Sequence, residues 1–131
     1  MPRPLILGAI LAAVAAPVAQ AQSLADESEI RNGLLVVGMA YELSEKCGPV
    51  DARTVRGIST LLNLKSRARA LGYSNAEIDA YIDDEAEKDR LEVIARSQLE
   101  QLGAVPGQED TYCAVARDQI ARGTGVGRLL R

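Results

Sequence analysis

Cys47 and Cys113 are the only cysteines in the chain, and no histidine accompanies them. Their sulfurs can be metal ligands, nucleophiles, redox centres or the two ends of a cross-link. Structural zinc wants four ligands, normally cysteine and histidine, and two cysteines do not supply them. No C-x-x-C motif is present, so the signatures of thioredoxin-like exchange and covalent haem attachment are missing. A cysteine nucleophile works beside a base, and a Ser-His-Asp triad needs its histidine. The same absence removes the commonest general base near neutral pH. The cross-link is the reading left, and its availability depends on the compartment.

The first residues, MPRPLILGAILAAVAAPVAQAQS, bear on that compartment. Arg3 sits near the free amine, an apolar run extends from Leu5 to Ala16, Pro17 interrupts it, and Ala19-Gln20-Ala21 follows. A charged start, a short apolar stretch and an A-x-A site predict a cleavable signal peptide over residues 1–21. A membrane-spanning helix would need ~20 apolar residues, more than this run holds before its proline. No cysteine directly follows the apolar run, so a lipid-attached N-terminus is not reached by that route. The expectation is an exported, periplasmic protein of one domain, residues 22–131. Thiols in such a compartment are normally oxidised, which predicts a Cys47–Cys113 disulfide. Closing a loop of that length is worth ~4 kcal/mol on the chain-entropy model, a large share of the ~5–15 kcal/mol that holds a domain together.

The rest of the chain reads as helix punctuated by Gly, Pro and capping residues, with no period-2 run and few aromatics. The predicted fold class is all-α, a compact bundle of about five helices with one disulfide. The helices are placed at 26–47, 51–71, 75–83, 84–102 and 110–122, with a glycine-rich tail at 123–131 read as a helix stop and flexible hinge. The first helix is apolar around most of its girth, through Ile30, Leu34, Leu35, Val37, Met39 and Tyr41, so it is expected at the centre of the domain. The second opens on Asp51 as N-cap. Its apolar face rotates, from Val55, Ile58 and Leu62 to Leu61, Leu64, Ala68 and Leu71, which predicts different neighbours at its two ends. Ser74-Asn75-Ala76-Glu77 has the form of a capping box. The acidic run Asp83-Asp84-Glu85 suits a new helix N-terminus. The last helix is expected to bury Tyr112, Val115, Ala116 and Ile120.

Net charge over the full chain is −3, one unit more negative once Arg3 leaves with the signal. Phosphate neutralisation requires a basic surface, so a general nucleic-acid binder is not expected. The second helix is basic (Arg53, Arg56, Lys65, Arg67, Arg69), whereas residues 74–102 are acidic, which reads as one helix lying against two others with exposed ion pairs. Asp83 and Glu87 share a helical face, but acids at a helix start are normally solvated rather than catalytic. DAYIDDEAEKD (79–89) lacks the glycine of a calcium loop. GTGVG (123–127) follows no strand and is no dinucleotide fingerprint. LGYSNAEIDAYI (71–82) has a helix-turn-helix outline, but its second helix is acidic, against what DNA binding requires. No cofactor and no catalytic residue is expected.

Five stretches in order, NGLLVVGMA (32–40), C-x-x-x-D-A-R (47–53), LKSRARALGYSNAEIDAYI (64–82), EKDR (87–90) and YCAVARDQIARGTGVGRLLR (112–131), resemble a domain-of-unknown-function family of small exported alphaproteobacterial proteins. The resemblance implies a helical fold and both cysteines as a pair. It also implies an association, since similar proteins are labelled accessory components of the proton-pumping NADH:quinone dehydrogenase. With no flavin, quinone or iron–sulfur motif in this chain, such a role would be structural.

Two functions follow as expectations. The first is a non-catalytic interaction module that docks on a protein partner, including a membrane respiratory complex. Its candidate contacts are Leu35 and Met39, as excess apolar surface of the first helix, and the tail residues Val126, Arg128, Leu129, Leu130 and Arg131. The competing reading folds Leu129 and Leu130 back onto the core. The second function is an apolar small-ligand or lipid binder with a pocket between the first, second and fourth helices.

Overall fold

The structure is a computed structural model that describes residues 23–131. The signal-peptide expectation falls on residues 1–21, outside the described residues. Five α-helices are present: α1 (Ser28–Lys46), α2 (Thr54–Ala70), α3 (Asn75–Ile82), α4 (Glu85–Gln101) and α5 (Glu109–Arg122). Short 3-10 turns lie at Leu24–Asp26 and Gly127–Leu129. Among the described residues there is no strand, only two isolated bridges, Ala52 with Leu130 and Val105 with Gln108. No helix among them is long and apolar enough to cross a membrane.

Most of the apolar girth of α1 is used in packing. Leu35, Met39, Ala40 and Leu43 enter the main core with Ala95 and Leu99 of α4 and Tyr112, Val115 and Ala116 of α5. Ile30 instead joins a smaller cluster with Leu24, Ala68 and Ile78. The helices come close to α1 at its small residues. A Cβ at Gly38 would stand 3.7 Å from the Cβ of Ala95, and one at Gly33 would run into the Leu64 side chain.

Each boundary has a local cause. Ser74 Oγ accepts the Glu77 N–H at 3.1 Å, and the Glu77 carboxylate accepts the Ser74 N–H at 3.3 Å, so the capping box at the start of α3 is formed. Asp84 is the N-cap of α4 and accepts the Glu87 N–H at 3.2 Å. The break at Asp84 separates Asp83, at the end of α3, from Glu87 in α4, so they do not share one helical face. Gly123 ends α5 with φ 61°, a conformation that costs glycine little.

Cys47, at the end of α1, is bonded to Cys113 in the first turn of α5, with their Cα atoms 5.1 Å apart. Among the described residues no cysteine is free. The bond anchors α5 against the base of α1, and both sulfur-bearing side chains are buried in the main core.

The tail overturns two expectations. α2 begins at Thr54 rather than Asp51, because residues 51–53 pair with the C-terminus instead of entering the helix. Asp51 and Arg131 exchange backbone N–H···O bonds of 2.9 Å in both directions, and the Arg53 N–H donates to the Leu129 carbonyl at 2.7 Å. The segment after Gly123 is therefore a built element and not a hinge. Thr124 Oγ1 donates to the buried Gln119 Oε1 at 2.6 Å and accepts the Gly127 N–H at 3.1 Å. Gly127 lies so close to α5 that a Cβ there would collide with the Gln119 carbonyl.

Candidate ligand groove

α2 and α4 both pack on α1 but have almost no contact with each other. Between them runs a groove whose floor is α1. One part, about 370 Å³, is lined by Ile30 and Leu34 of α1, Leu61, Leu64 and Ala68 of α2, and Leu91 of α4, and α3 closes its end with Ile78 and Tyr81. A second part, about 360 Å³, continues past Val37, Gly38 and Tyr41 and shares Leu34, Leu61, Lys88 and Leu91 with the first. From Ile30 to Tyr41 the α1 floor is about 16 Å long at 1.5 Å per residue. Each part lies within the usual ~300–1,000 Å³ of small-molecule sites.

The lining of the first part is almost wholly hydrocarbon, and apolar side chains continue out to its edge. Leu61, Leu62 and Ile82 are exposed along its edge. Contiguous apolar surface of this kind is uncommon on a monomer unless something covers it. The first half of α2 adds to it: Val55 and Ile58, expected to meet a neighbouring helix, are 82% and 54% exposed. α2 has different neighbours at its two ends besides α1: the Gly127–Leu129 turn near its start and α3 near its end, where Leu64 and Ala68 pack.

Three charged groups, Lys65, Glu87 and Lys88, enter the lining of the first part, and Glu42, Glu92 and Arg96 line the second beside Lys88. Lys65 stands on the α2 wall and Lys88 on the α4 wall. Lys65 lies 3.7 Å from Asp79, and Lys88 donates to Glu85 at 3.0 Å; both acids are well exposed and neither lines the groove. Glu87 is occupied differently. Arg90 clasps its carboxylate through Nε, at 3.0 Å, and Nη2, at 2.6 Å, and Tyr81 Oη donates to it at 3.3 Å. The arginine hydrogen bonds are the main reason its carboxyl is held below the usual range. Tyr81 is pushed up to about 12, chiefly by burial and then by the Glu87 charge. Tyr73 also rises to about 12, through burial and the hydrogen bond it donates to Glu27 at 2.8 Å.

Five of the residues expected to meet a partner do not form a surface. Leu35 and Met39 are 5% and 7% exposed and face α4 and α5. Val126, Leu129 and Leu130 are buried in the same core, because the bridge at Ala52 and the Gln119–Thr124–Gly127 bonds fold the tail inward. Of that set only Arg128 and Arg131 are exposed, and Arg56 donates to the Arg128 carbonyl at 3.1 Å. Ile120 is also partly exposed, and Gln119 takes its expected place inside. Lys65 and Lys88 were not singled out, since charge order along the chain does not show which lysines face a cavity.

A family model matches residues 22–131, the described structure and one residue before it. The chain belongs to DUF5333, a family of unknown function. The matched span takes in both cysteines, all the groove residues and the folded-back tail, and so includes the five-helix body described above. No curated protein and no solved structure matches it.

Proposed function

We propose that this protein is a non-catalytic binder of an apolar small molecule, which it holds in the groove between α1, α2 and α4. The observation that supports this reading is the largely apolar groove itself, left open because two helices share a floor with almost no contact between them. A well-formed apolar cavity with a few polar groups at its edge is the default place for a ligand. We further propose that it acts in the periplasm after export. The leader pattern in the sequence supports this, and a disulfide is compatible with an oxidising compartment. An accessory role on a larger assembly such as the NADH:quinone dehydrogenase has lost the apolar anchors suggested for it, since all five lie in the core.

The test is uptake of Nile red, a neutral apolar dye, together with native mass spectrometry of protein purified without detergent. The expected result is saturable dye fluorescence at one site and a small-molecule adduct released by organic solvent. Leu61→Lys puts a charge on a wall position that is already partly exposed, so it should abolish dye uptake and leave the thermal midpoint within a few degrees. Absence of both dye uptake and adduct, or dye uptake unchanged by L61K, overturns the proposal.

A further inference from the structure

We propose that the occupant of the groove is a long-chain fatty acid, its carboxylate at the mouth between Lys65 and Lys88 and its chain laid along α1. This rests on the ligand-binding reading above and goes further by assigning the ligand's chemistry. The hydrocarbon part follows from shape and lining. The groove is elongated, about 16 Å along its α1 floor; the walls of its first part are mostly leucines with almost no polar surface, and Val37, Leu61, Leu91 and Ala95 continue the apolar strip through the second, whose rim carries Glu42, Glu92 and Arg96. That suits one extended chain better than a compact or two-chain ligand.

The headgroup follows from the charges. Lys65 and Lys88 stand on opposite walls, and they are the only cations that line the first part of the groove. Their present partners, Asp79 and Glu85, are exposed acids outside the lining, and exposed pairs of this kind are worth ~0–1 kcal/mol. A carboxylate seated at the mouth would displace little and gain two ammonium groups beside an apolar wall, where charge pairs are less screened. Glu87, the one acid in that lining, is held away by Arg90 and Tyr81. Arginine is the side chain suited to forked recognition of phosphate. Two lysines with no arginine in this part of the groove favour the singly charged carboxylate.

The experiment is displacement of Nile red from the full mature chain by palmitate, hexadecanol and hexadecyl phosphate. Palmitate should displace the dye at roughly ten-fold lower concentration than the alcohol, the effect expected of one partly desolvated charge interaction. The phosphate should be no better than palmitate. Lys65→Met with Lys88→Met keeps the apolar stems and removes both charges, so dye uptake should persist while the ten-fold preference for palmitate disappears. Equal displacement by acid and alcohol, a preference that survives K65M/K88M, or a clear advantage for the phosphate would each overturn the fatty-acid assignment, and apolar binding would still stand. Failure of the wild type to take up dye would remove both readings together.

Discussion

Tyr73 and Tyr81 each donate a phenolic proton to a carboxylate, and each is raised from the ordinary value of 10.0 to about 12. A group whose folded pKa exceeds its unfolded one contributes stability that is complete below the unfolded value and is lost as pH rises through the folded one. Between pH 10 and about pH 12 the fold should therefore weaken as the unfolded chain releases these protons more readily. Tyrosinate absorbance should show Tyr73 and Tyr81 ionising late, together with loss of helical circular dichroism. Tyr73→Phe with Tyr81→Phe should be less stable near neutral pH but lose much of its alkaline decline. An identical decline in the double variant would remove these two residues as its cause. Their partners, Glu27 and Glu87, belong to other helix starts, and nothing in the local sequence pairs them.

At the scale of elements, α5 packs on α1, and the Cys47–Cys113 bond ties the two helices where they meet. Cys47→Ser with Cys113→Ser leaves the helices their own caps and apolar faces but frees a long loop in the unfolded chain. The expected loss is ~4 kcal/mol, read as a lower urea midpoint that matches wild type in reductant. A midpoint unmoved by reductant would mean that the bond adds nothing beyond the packing around it. The pairing was legible from cysteine count and compartment. The start of α2 was not: Asp51 is a sound N-cap by residue type, but the C-terminal strand-like segment competes for its backbone groups and wins.

For the molecule as a whole, the tail closes the main core. Val126, Leu129 and Leu130 are nearly fully buried, and each such side chain is worth about 1.5–3 kcal/mol relative to exposure. Deleting Gly125 to Arg131 should remove a large part of the ~5–15 kcal/mol that typical domains possess, leaving a chain that is unfolded or melts far below wild type. Gly127→Ala is a single-residue version, costing ~3 kcal/mol or more because its Cβ would overlap the α5 backbone at Gln119. Hydrogen exchange should place its effect at the Asp51–Arg131 bridge first. A midpoint unchanged by the deletion would return the tail to the role of a mobile docking arm.

The sequence by itself determined the helices, the cysteine pair and the central place of α1. Each is written locally, in the 3.6-residue period, in capping residues, or in a residue count that leaves one partner. It also suggested a pocket among three of the helices. Only the tertiary structure decided which apolar residues are spare. Leu35 and Leu61 look alike in sequence, but Leu35 enters the main core and Leu61 does not. Five glycine-rich residues looked like a hinge until a close backbone approach at Gly127 locked them down. Burial depends on which helices touch, and here α2 and α4 share α1 with almost no contact between them, a separation that no local pattern encodes.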